Sequence, residues 1–105
     1  MGMTKATPVD GTVVVNRLGT VEDADDEACA LLGYSKRELV GLHGSELIPP
    51  AAQPATAVSI DRIRHGEISL QQQGRVRRKD GLVLSVDVSA QMLPDDRMAF
   101  RIRQR

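Results

Sequence analysis

LLGYSKRELVG, residues Leu31 to Gly41, holds the end of one helix and the whole of the next. Ser35 and Glu38 stand three apart ahead of Leu39. That spacing lets the serine oxygen accept the third helical amide while the glutamate reaches back to the serine amide, a capping box. Gly33 ends the preceding helix and Gly41 stops the following one. Working upstream, Asp25 caps a short helix over Asp26 to Leu32, with Asp26 and Glu27 in the first turn, where they complement the helix dipole. Downstream, Gly44 to Ile48 adds one more turn before Pro49-Pro50, which cannot continue a helix. A longer helix is expected from about Pro54 to His65, with Ala55, Val58, Ile60 and Ile63 apolar and Gly66 as its stop.

Both flanks of this helical region read as strands. Thr12 to Asn16 is β-rich, Arg17-Leu18-Gly19 supplies a turn, and Thr20 to Asp23 returns. Beyond Gly66 the period changes to two. Ile68, Leu70, Val76, Leu82, Leu84, Val86, Val88, Ala90 and Met92 fall on even positions, with Ser85, Asp87, Ser89 and Gln91 between them. Lys79-Asp80-Gly81 makes a hairpin turn and Pro94-Asp95-Asp96 a second. After it Met98, Phe100 and Ile102 alternate with Arg101 and Arg103. The expected fold is α+β: a single five-stranded antiparallel sheet, with short helices and one longer helix over one face.

The chain has 105 residues, enough for one domain with one core. Residues 1–10 are polar and aperiodic around Pro8 and read as a flexible lead-in, leaving 11–105 as the domain. Fourteen basic residues balance fourteen acidic ones, so no global field favours nucleic acid or an anionic membrane. The single cysteine, Cys29, excludes an internal disulfide and any multi-thiolate metal site, and fits a cytoplasmic setting. No apolar run approaches the length of a membrane span. Gly2 does not make a myristoylation site, because Ala6 stands where serine or threonine is needed. Tyr34 and Phe100 are the only aromatic residues, which weakens any function that depends on stacking bases or sugars.

In element order and in two motifs the chain resembles the PAS family over about Gly11 to Arg103. The motifs are LLGYSKRELVG and the RRKDG of Arg77 to Gly81 ahead of a strand. Asp25 departs from the asparagine the family often carries, although either side chain can cap. The resemblance implies a non-enzymatic sensory module. It would bind a small ligand between the helices and the inner sheet face and relay the change to an effector domain such as a histidine kinase, a cyclase or a transcription regulator. A homodimer is expected, and the chain reads as a module excised from a longer protein. The alternative is a cofactor-free interaction module that only dimerises. The low aromatic content favours it, since flavin and haem pockets use flat rings for packing.

The implied ligand-facing set is Ile63, Leu70, Gln72, Leu84, Val86, Val88 and Phe100, with His65 at the end of the long helix. Gln72 stands out because an inward amide must find a partner or cost about 1–3 kcal/mol. A slipped register or a bulge near Gly74 would turn it outward instead. His65 lies about one residue from the place where haem-binding members carry their iron ligand, but a histidine beside Gly66 also suits an exposed helix C-terminus. The flavin photoreceptor motif is missing, because GLHGSEL (residues 41–47) has no cysteine, and Cys29 reads as a small buried side chain. For catalysis, His43 and Ser45 are two apart on a glycine-flanked turn, which reads as chance proximity, and no nucleophile motif or metal-ligand spacing is present. Arg75, Arg77, Arg78 and Lys79 read as a solvated strand edge that discourages pairing.

Overall fold

The alternation that begins at Leu84 builds the longest strand of a five-stranded sheet. The computed structural model describes residues 10–54, 61–62 and 71–105, apart from the side chains of 71 and 72. Its strands are β1 (Gly11–Val15), β2 (Val21–Ala24), β3 (Gln71–Arg77), β4 (Val83–Met92) and β5 (Met98–Gln104). They lie in the order β2-β1-β5-β4-β3, every pair antiparallel, so that the first strand in sequence lies beside the last. The described helices are α1 (Asp26–Leu32) and α2 (Lys36–Leu39), with single 3₁₀ turns at Gly44–Leu47, Pro50–Ala52 and Pro94–Asp96.

Local chemistry places α1 and α2 where the sequence puts them. Asp25 Oδ1 accepts from the Ala28 amide at 2.8 Å and also from the Thr12 amide of β1 at 3.0 Å. One carboxylate therefore caps the helix and ties it to the sheet. Gly33 closes α1 at φ +78, a left-handed turn that costs little only at glycine. The Ser35–Glu38 capping box is present with both of its hydrogen bonds, at 3.1 and 2.9 Å. Helix α2 caps at Val40, one residue ahead of Gly41, which takes φ +101.

The even-numbered residues of β4 and β5 face the helices, together with Gly11, Val13 and Val15 of β1. Leu32, Leu39, Met98, Val21 and Val86 are the largest wholly buried side chains. Each such burial contributes about 1.5–3 kcal/mol to folding. Helix α1 presses directly on β1: a Cβ built on Gly11 would stand 2.6 Å from the backbone Cα and N of Ala28. That contact requires glycine.

Several expected boundaries move. Asn16 leaves the first strand because its side-chain oxygen accepts from the Leu18 and Thr20 amides and so builds the turn. Thr20 is outside β2, which instead extends to Ala24. Leu82 is not inward: it is 56% exposed. Its amide donates to Asp80 Oδ1 and its carbonyl accepts from Arg78, so the residue closes the hairpin before the pleat begins. In the second hairpin Asp95 and Asp96 both adopt left-handed φ, 67 and 62. Gln53, Pro54, Asp61 and Arg62 are helical, while most of the expected helix from Pro54 to His65 lies outside the described residues.

Candidate functional site

β3 and β4 pair without interruption from Gln71 opposite Ser89 to Arg77 opposite Val83. No bulge occurs at Gly74, and Gln72 pairs with Val88. Because Val88 also pairs with Ile102 and Ile102 with Gly11, Gln72, Val88, Ile102 and Gly11 form one row across four strands. The adjacent row is Ala90, Phe100, Val13 and Ala24. The register slip considered for Gln72 is therefore absent.

Apart from Gln72, the expected site residues divide into three groups. Leu84 and Val86 are core, at 8% and 0% exposure. Val88 and Phe100 are half-buried and pack against the core cluster, as does Met92, which sequence reasoning placed in the strand but not in the site. Ile63, His65 and Leu70 lie outside the described residues, while Leu84, Val86, Val88 with its partner Gln72, and Phe100 stand in four successive rows of the sheet. Among the described residues no three His, Cys, Asp or Glu side chains are grouped to hold a metal. An open cleft of about 490 Å³ lies elsewhere, lined by Asn16, Arg17, Leu18, Glu22, Asp95 and Arg97. None of these belongs to the expected set.

His43 and Ser45 are joined by more than chance, but in a structural role. Nε2 of His43 lies 3.1 Å from the Leu18 carbonyl, which can only accept, so Nε2 carries the proton. Nδ1 is then the acceptor for the Ser45 amide at 3.2 Å and the Ser45 hydroxyl at 2.8 Å. The imidazole caps the 3₁₀ turn Gly44–Leu47, and Glu46 returns to the His43 amide at 3.0 Å. The same ring would lie 2.6 Å from a Cβ on Gly19, which takes φ +85. The β1–β2 turn is thus latched to the helical segment, and both nitrogens of the imidazole are committed to that contact.

The two sequence motifs meet in space. Lys79 Nζ contacts Glu38 Oε2, and the Lys79 amide donates to the Leu32 carbonyl at 3.0 Å. Arg78 donates to the Leu31 carbonyl at 3.3 Å, satisfying the C-terminal end of α1. Its Nε makes no hydrogen bond but stands 3.5 Å from Asp80 Oδ2 as an ion pair. Hydrogen bonds from Lys79 and from the Ser35 amide hold the Glu38 carboxyl down at about 2. Two members of the arginine–lysine run are therefore fastened to the helices and are not merely solvated, a correction that sequence separation concealed.

A family model described as PAS fold matches residues 21–103. The chain belongs to the PAS family. Solved PAS structures share its fold. A domain of a sensory box sensor histidine kinase/response regulator from Geobacter sulfurreducens is 28% identical at TM-score 0.78, covering 90% of this chain and 82% of that one. The PAS domain of an HTR-like protein from Haloarcula marismortui is 26% identical at TM-score 0.70, covering 91% and 81%. A third, from a LuxR-family transcriptional regulator of Burkholderia thailandensis, was solved in complex with ethanol. It is 18% identical at TM-score 0.78, covers 90% and 88%, and speaks for the fold alone. Among curated proteins none matches. In this PAS domain no helix among the described residues is long and apolar enough to cross a membrane.

Proposed function

We propose that this PAS domain is the signal-sensing module of a larger signalling protein. It holds a small ligand between the helices and the inner sheet face and passes the change to an effector such as a histidine kinase or a transcription regulator. PAS domains of this fold occur in both kinds of protein. The observation that carries the reading is the unbroken register of Gln72 against Val88, beside half-buried Phe100. Few polar groups among apolar walls is the composition of a small-molecule site. That the Burkholderia domain was solved with ethanol supports a ligand of modest size. The domain itself carries out no chemistry in this reading, consistent with the capping role of His43 and Ser45.

Native mass spectrometry of the purified protein tests the proposal, since it reports bound mass and oligomeric state together. A retained small molecule that is lost from Gln72→Leu is the expected result. An empty dimer would move the assignment to a cofactor-free dimerisation module, and equal retention by Gln72→Leu would remove Gln72 from the site.

A further inference from the structure

The two margins of the sheet differ. At β2 the far edge is already engaged: the Val21 amide donates to Leu42 at 2.8 Å, its carbonyl accepts from Gly41 at 2.9 Å, and Thr20 bridges His43. β3 forms the opposite margin, seven residues long and paired only with β4 among the described residues. In an antiparallel ladder, alternate residues turn their N–H and C=O groups away from the partner strand, so such an edge presents a row of unsatisfied backbone groups. Proline, a bulge or a covering loop ordinarily blocks it. Gln71–Arg77 contains no proline and no bulge.

What β3 carries instead is charge of one sign. Arg75 and Arg77 occupy alternate positions of the strand, beside neutral Ser85 and Val83 of β4. Arg75 has no ion-pair partner among the described residues, and Arg77 reaches only the Glu46 carbonyl, at 3.4 Å. The Asp87 carboxylate, the nearest acidic group on β4, is paired with Arg105 at 3.5 Å. β3 itself has no acidic residue. Such an edge rejects another copy of itself and any basic strand, yet it complements an acidic one.

We propose that β3 is the acceptor edge for an extended acidic segment of a partner polypeptide. The segment adds as a further strand, with carboxylates at alternate positions beside Arg75 and Arg77 and small or apolar residues beside Gly74 and Val76. Main-chain hydrogen bonds supply the affinity in this mode, and the alternating side chains supply the selection. A second copy is the wrong occupant. Its β3 has the same sign, and its acidic stretch Glu22-Asp23 sits on β2, whose far edge is already engaged at Val21. The inference stands apart from the ligand pocket and does not depend on it.

Fluorescence anisotropy on the whole chain tests this with a labelled peptide of alternating Glu and Val, matched to the seven residues of β3. Controls are the Lys–Val peptide and two Glu–Val peptides N-methylated along one or the other edge. Saturable binding of the Glu–Val peptide is expected, with loss for the lysine peptide and for one N-methylated form. Arg75→Glu should weaken binding about tenfold, while Arg37→Glu on α2 leaves it unchanged. Hydrogen exchange should show new protection within β3. Absence of binding overturns the proposal, as does equal binding of both N-methylated peptides, which would mean attraction by charge alone. Tighter binding of a single-stranded oligonucleotide at the same edge also overturns it, and would assign the arginines to phosphate.

Discussion

Glu38 and Lys79 are 41 positions apart in sequence, and their side chains form an ion pair in the fold. The same carboxylate accepts from the Ser35 amide at 2.9 Å. One glutamate therefore completes a helix cap and anchors the β3–β4 hairpin. The two motifs that carry the resemblance in this sequence are thus two sides of one contact.

A pH dependence follows. The Glu38 carboxyl is held at about 2 in the folded protein, against 4.5 ordinarily, chiefly by Lys79 and then by the Ser35 amide. The folded-state value is depressed, so the contribution is complete above pH 4.5 and is lost as pH falls toward 2. Thermal melts between pH 2 and 7 should show Glu38→Gln least stable relative to the parent at neutral pH, with the two curves converging in acid. The pair is exposed, so added salt should narrow the difference. A gap that persists unchanged at pH 2 would show that Glu38 acts otherwise.

Asp25 has a double task, capping α1 and receiving the Thr12 amide. Asp25→Ala removes the oxygen that accepts both amides and should cost about 2 kcal/mol in urea unfolding. Asp25→Asn keeps a side-chain oxygen in the same place and should cost a few tenths at most. Equal losses for the two variants would mean that the charge matters more than the cap.

Gly11→Ala should destabilise by about 1–3 kcal/mol, because the new methyl meets the backbone of α1 rather than a side chain that could swing aside. Gly81→Ala is the informative contrast. Nothing lies within 4 Å of its Cβ position, and the residue takes φ +92, so its cost is backbone strain alone. Chemical denaturation of both variants separates close packing from conformation. Loss of protection at the α1 amides in Gly11→Ala would locate the damage at the packing contact.

Cys29 lies half-buried on α1, and its thiol is pushed up by burial first and then by Asp26 and Asp25. Less thiolate at neutral pH means slow alkylation. Iodoacetamide should modify the native protein far more slowly than the urea-unfolded chain, and Asp26→Asn should speed the native reaction slightly. Native labelling as fast as in urea would contradict this placement.

The sequence by itself determined what rests on neighbours along the chain. Asp25 and Ser35 cap helices whose donors lie three residues away, Gly33 ends α1, and the even positions from Leu84 to Met92 declare one buried face, because a strand repeats every two residues. Most of the fold class was legible from such signals, and so was the facing of four of the eight candidate site residues. Leu84, Val86, Val88 and Phe100 fall on the face their parity requires, although Leu82 shares that parity and is drawn into the turn by Asp80. Only the tertiary structure decided contacts between distant segments. Periodicity carries no information on which distant strands lie side by side, so the placing of β1 beside β5, the contact of Glu38 with Lys79 and that of His43 with the Leu18 carbonyl could not be read in advance. Nor could the difference between a β2 edge engaged at Val21 and a β3 edge that pairs only with β4 among the described residues. Each depends on where separate segments meet once the core has closed, and packing sets that, not local preference.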